Sequence, residues 1–203
     1  MPHDHADSRK AVGPFVRAIV TLCCVLIAST AAVRSEQPFV TIEGDTDKIA
    51  WWVLADFHPF TTEVRGIPVS KIRKGWCKAT EFRKDLLPRE FAIDKSGKDA
   101  LEGYSFAVEG SFDGSAVKQV ALVGVYEECS GQRGRFFMIL DQPKIGPPRI
   151  RFLDAFQTEN QFGMLELMKG NTLLLWSCMD CDGYAKLTWD RKRQRFKWLS
   201  PDF

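Results

Sequence analysis

The cysteines carry the sharpest chemical spacing in the chain. Cys178-Met179-Asp180-Cys181 sets two thiols two residues apart, a spacing that supports thiol–disulfide exchange when a helix N-terminus stabilises the first thiolate. The flanking residues point elsewhere. Residues 173–176 (Leu-Leu-Leu-Trp) read as a strand entering the pair, Asp182-Gly183 as a turn, and residues 184–187 as a strand leaving it. The pair therefore belongs in a hairpin loop, where Asp180 and Asp182 disfavour a thiolate. A structural disulfide is the expectation, and a redox pair the alternative. Cys77 and Cys129 would form a second bridge, although four cysteines allow three pairings and spacing does not choose among them. A 77–129 bridge would close a loop of about 50 residues, worth about 4 kcal/mol in the chain-entropy picture. A four-cysteine zinc site would need reduced thiols, so no metal and no cofactor is assigned.

Histidine chemistry is restricted. His58 is the single histidine beyond the first 32 residues, so His-x-Glu and His-Glu-x-x-His zinc motifs do not occur. Gly-x-Ser-x-Gly, Walker and Gly-x-Gly-x-x-Gly patterns are also missing. His58 lies in Asp56-Phe57-His58-Pro59-Phe60, an aromatic strand end. A base oriented by Asp56 is conceivable there, but a partly buried strand-end imidazole is the reading favoured. Carboxylate pairs such as Glu127-Glu128 are too common to single out a hydrolase. No catalytic residue is assigned.

A cationic hairpin closes the chain. Lys186, Arg191, Lys192, Arg193, Arg195 and Lys197 are interleaved with Trp189, Phe196 and Trp198. Read as a binding surface, this tip suits an anionic surface such as lipopolysaccharide, a glycan or a phosphate-bearing partner. Read structurally, the aromatics face the core while the cations solvate and guard a sheet edge.

Gly110-Ser111-Phe112-Asp113-Gly114-Ser115, continuing through the apolar run to Gly124, resembles a single FG-GAP/VCBS-type β-repeat. The resemblance implies an Asp-bearing turn leading into an apolar strand, with calcium as the ligand such turns hold. Ser111, Ser115 and Gln119 stand where that pattern has carboxylates, and calcium favours several charged oxygens. The resemblance is used only to expect a β-hairpin at 110–124. Trp176 ahead of Cys178 gives a superficial resemblance to a thioredoxin-type site.

These residues need elements to hold them. Short apolar runs separated by Gly, Pro, Asp and Asn predict strands at 49–57, 104–108, 120–126, 135–141, 150–156, 162–168, 172–176, 184–189 and 196–199. In the first of these, Trp51 and Trp52 would point to opposite faces. Only residues 79–87 have helical spacing, stopped by Pro88. The expected fold is mainly β: a curved antiparallel sheet or a two-sheet sandwich with one short helix.

The N-terminus reads as an address. Arg9, Lys10 and Arg17 precede the uncharged run 18–33, which is short for a membrane span and ends in small residues. Residues 1–32 are expected to be a secretory signal peptide, leaving 33–203 as one exported β-rich domain with no membrane span of its own. That domain would hold 25 basic against 24 acidic residues. The whole chain has 203 residues, 28 Lys+Arg and 26 Asp+Glu. Nucleic acid is therefore not an expected partner. The expectation is a periplasmic or extracellular, non-catalytic β-domain that binds, or builds on, an envelope component. The alternative is a thiol–disulfide protein using Cys178 and Cys181.

Overall fold

A computed structural model describes residues 38–92, 101–179 and 181–199, all within a compact unit spanning Glu36–Phe203. The expected leader at 1–32 and Asp180 lie outside the described residues. In chain order the first elements are β1 (Val40–Ile42), α1 (Trp51–Leu54), β2 (Ala55–Phe57), β3 (Glu63–Val64), β4 (Ile67–Pro68) and α2 (Val69–Ile72). Next come β5 (Trp76–Glu81), a 3-10 turn (Lys84–Leu86), α3 (Arg89–Ala92), β6 (Ala107–Gly110) and β7 (Lys118–Glu128). The rest is β8 (Arg133–Gln142), β9 (Arg149–Phe156), β10 (Met164–Met168), β11 (Thr172–Trp176), β12 (Tyr184–Asp190) and β13 (Arg195–Leu199).

The expected mainly-β fold is the one observed. β5, β7, β8 and β9 are antiparallel neighbours in a five-stranded sheet, with β6 also on β7, while β10 to β13 form a four-stranded meander. The two sheets pack face to face. Ala121, Val123, Val125, Phe137 and Ile139 of the larger sheet share one core with Met164, Leu165, Leu173, Leu187 and Phe196 of the smaller. The other face of the larger sheet, with Trp76, Val120, Leu122, Phe136, Met138 and Leu140, is covered by Val64, Val69 and Ile72. This double coverage explains why β7 and β8 are buried almost end to end and why their sequences run apolar without alternation.

Two expectations are corrected. Residues 79–87 are not a helix: β5 extends through Glu81, and only Lys84–Leu86 turns, as a single 3-10 turn before Pro88. Pairing of Ala79 with Tyr126 and of Thr80 with Val125 on β7 outweighs the weak helical spacing. Residues 49–54 are not strand either. Asp45 accepts at its side chain from the Asp47 amide and at its carbonyl from the Lys48 and Ile49 amides. The chain then passes into the helical turn α1, and only Ala55–Phe57 pairs, with β1. A helical turn brings Trp51 and Ala55 to one side, and both are buried; Trp51 stacks on Phe91 at 5.0 Å between ring centres.

Candidate functional site

Four connections lie at one end of the sandwich: 111–117 between β6 and β7, 143–148 between β8 and β9, 169–171 between β10 and β11, and 191–194 between β12 and β13. The antiparallel registers place them together. Asn171 of one sheet donates to the Ser111 carbonyl of the other at 2.7 Å. The hairpin expected at 110–124 is present as β6–β7, with Gly110 opposite Gln119. Gln119 is fully buried, accepts from the Phe112 amide at 2.8 Å and donates to Asp141 at 2.8 Å, which holds the 111–117 loop over the sheet end.

Arg151 links this loop to the C-terminal hairpin. Ile139 pairs with Phe152 but Leu140 pairs with Ile150, so Arg151 is the extra residue of a β-bulge. A bulge redirects the side chain it inserts. The Arg151 guanidinium sits 5.0 Å from the Trp189 ring centre and 3.4 Å from the Asp113 carboxylate. Burial raises the Asp113 carboxyl's affinity for its proton, but the Ser115 hydroxyl and amide, the Arg151 charge and Gln119 outweigh it and hold the group below the usual carboxylate range. The carboxylate that a calcium-binding turn would present is thus engaged by the Ser115 amide and an arginine. Among the described residues no group of three or more His, Cys, Asp or Glu side chains is arranged to hold a metal ion.

Asp113, Gly114, Ser115, Arg151, Trp189, Arg191 and Gln194 surround an open cleft of about 330 Å³. The structure therefore brings two separately noticed stretches, the Asp113 turn and the basic hairpin, to one place. The hairpin's own charges divide. The Asp190 carboxylate accepts from the Lys192 and Arg193 amides at 3.1 Å each and lies 3.6 Å from Lys197 and 3.9 Å from Arg193. The Arg193 amide, first, and these cations hold its carboxyl below the usual range against the opposing effect of burial. Lys186, Arg191, Lys192 and Arg195 make no ion pair with the described residues.

The tryptophans play a different part. Leu187 pairs with Trp198 and Trp189 with Phe196, so all four occupy the inner face of the β12–β13 hairpin. Trp198 packs on Phe137 at 5.4 Å and donates its indole N–H to Asp154 at 2.7 Å. Trp189 has Arg151 over its ring and Phe196 at 4.8 Å. Both are wedges between the sheets, and the exposed chemistry of the hairpin is cationic.

The opposite end holds both thiols of the close-spaced motif and the histidine. Cys178 is bonded to Cys181 in the loop joining β11 to β12, where the described residues provide no helix to stabilise a thiolate. Cys77 is bonded to Cys129, with Cα atoms 4.9 Å apart. Here too a bulge matters: Trp76 pairs with Glu128 and Lys78 with Glu127, leaving Cys77 as the extra residue beside Cys129.

His58 is enclosed in a network that the sequence reading did not foresee. Arg133 Nη2 donates to Asp56 Oδ2 at 3.1 Å, and the two hydrogens of Nη1 are shared among Asp56 Oδ1 at 2.8 Å, the Phe57 carbonyl at 3.1 Å and His58 Nδ1 at 2.9 Å. A guanidinium has no acceptor, so Nδ1 must be the unprotonated nitrogen and Nε2 carries the hydrogen, 3.0 Å from Thr41 Oγ1. Both ring nitrogens thereby help to hold β1 and β2 against the start of β8. Arg133, 75 residues downstream, gave no local signal of this role.

A larger open cleft, about 480 Å³, is lined by Phe60, Glu63, Arg65, Glu81, Arg83 and Leu86 among others. Its cations are paired: Arg65 with Glu81 at 2.7 Å and Arg83 with Asp85 at 2.9 Å. No protein family, no curated protein and no solved structure matches the chain. The functional reading therefore rests on the geometry above.

Proposed function

We propose that the protein is an exported, non-catalytic binding module of the cell envelope that engages an anionic partner through the basic end of its β-sandwich. One observation carries the reading. Segments 109–118, 141–151, 169–171 and 190–195, which meet at that end, contain nine basic residues against four acidic ones, in a chain with 28 against 26 overall. Charge gathered this way focuses attraction on one face although the molecule as a whole is near neutral. All four acids have internal partners, Glu109 with Lys118, Asp113 with Arg151, Asp141 with Gln119 and Asp190 with the Lys192 and Arg193 amides, and Lys144, Arg149, Lys169, Arg191, Lys192 and Arg195, which make no ion pair with the described residues, are available to a ligand. The leader-like N-terminus and the two bonded cysteine pairs support an oxidising compartment outside the cytoplasm; among the described residues no helix is long and apolar enough to cross a membrane. A partner in the envelope, rather than nucleic acid, follows from that location.

The test is titration with dextran sulfate, a soluble polyanion, against neutral dextran. Binding is expected to the sulfated polymer alone, to weaken as salt is raised, and to fall at least tenfold in the triple variant Arg191→Gln, Lys192→Gln, Arg193→Gln. Equal affinity of the triple variant, or equal binding to neutral dextran, would reject the reading.

A further inference from the structure

We infer that the basic end docks on an anionic lipid surface, with the 143–148 loop entering the headgroup region; this rests on reading that end as the binding face. The observation that separates it from general polyanion binding is Ile145. It is 93% exposed, the most exposed of the large apolar side chains among the described residues, at the apex of Pro143-Lys144-Ile145-Gly146-Pro147-Pro148. Gly146 turns the backbone at φ 101°, a conformation costly for other residues, and two prolines then stiffen the return into β9. An isoleucine held this far out gains nothing from the fold.

Its surroundings match an interface between water and lipid. Lys144 precedes it, Arg149 follows, and neither is paired with a described acid. Val117 and Ile150, 39% and 36% exposed, add apolar surface at the same sheet end. Beyond them stand Arg151 and the 191–195 cations, reached through the Arg151 contacts with Asp113 and Trp189. An anionic bilayer rewards this pattern twice. Each cation near the charged surface contributes about fivefold in affinity, and burying one large aliphatic side chain about tenfold or more. Binding strength grows with buried apolar area plus electrostatic attraction to anionic lipid, so the two contributions add on such a surface. A soluble polyanion has no apolar layer to receive Ile145, and a neutral bilayer offers nothing to the cations.

The experiment uses the processed chain recovered from a secreting host, sedimented with vesicles of phosphatidylcholine alone or mixed with equal phosphatidylglycerol, with dextran sulfate titrated in parallel. Wild type is expected to bind the anionic vesicles and not the neutral ones. Ile145→Ser, an exposed change whose melting temperature should equal wild type, is expected to lose tenfold or more on vesicles while keeping its dextran sulfate affinity. The 191–193 glutamine variant should lose both. If wild type binds dextran sulfate but not anionic vesicles, or if Ile145→Ser binds vesicles as wild type does, the lipid inference falls and the polyanion reading stands. Binding to both vesicle types alike also overturns it. Binding to neither vesicles nor dextran sulfate removes both.

Discussion

Gly124 shows how single atoms decide this core. It pairs with Phe136 on β8, and a Cβ there would lie 2.7 Å from two atoms of that ring and closer still to the Thr80 carbonyl of β5. Backbone on one side and a fully buried ring on the other leave no room to yield, so Gly124→Ala is expected to destabilise by about 1–3 kcal/mol or more, read from the urea midpoint. Arg135 is the opposite case, a charge where the core would accept an apolar side chain. It is 8% exposed, its Nε has no partner, and it is held by the Phe162 carbonyl and the Phe156 ring. Burial lowers its pKa to about 10. Arg135→Met is therefore expected to be neutral or stabilising at pH 7. For wild type, the folded-state cost of that charge should diminish as pH rises above about 10, where the folded group deprotonates before the unfolded one. The His58 network makes a spectroscopic prediction. Two-bond proton–nitrogen correlation should find the neutral ring protonated at Nε2 in wild type and mixed between nitrogens in Arg133→Met, because the donor into Nδ1 is gone.

Among the elements, β5 depends most on context. Its register on β7, its bulge at Cys77 and the bond to Cys129 all act on the same six residues. The bridge closes a 52-residue separation, so Cys77→Ala with Cys129→Ala is expected to cost about 4 kcal/mol. Cys178→Ala with Cys181→Ala closes only three residues and should cost about 2 kcal/mol or less. Paired thermal melts in oxidising buffer give both values, and the larger loss belongs to the 77–129 bridge. The helical spacing at 79–87 misled because Ala79 and Phe82, three apart, are both buried, which a helix face would also produce. In the structure the two are buried in different clusters: Ala79 with Trp76, Tyr126 and Phe136, and Phe82 in the core between the sheets against the Phe39, Phe57 and Phe106 rings.

At the scale of the whole molecule the sandwich separates two chemistries, with the disulfides and the His58 network at one end and the cationic loops at the other. Asp113 couples the loops to the fold. Because its folded pKa is lowered, the stabilisation it supplies is complete above the ordinary carboxylate range and is lost as pH falls through its folded value. Asp113→Asn should therefore melt below wild type at neutral pH, and the two should converge in strong acid. Much of this architecture was legible in the chain: the runs at 120–126, 135–141, 172–176 and 184–189 are strands because β-branched and aromatic residues between turn formers have few other ways to bury themselves, and the Cys178 loop followed from the strands on either side. The double coverage of β7 and β8 was legible only as an unbroken apolar run. The bulges at Cys77 and Arg151, the closure of Arg133 on Asp56 and His58, and the meeting of the Asp113 turn with the Arg191 hairpin were not. Each depends on register between strands far apart in sequence, and a one-residue offset in register leaves local composition unchanged while redirecting every side chain that follows.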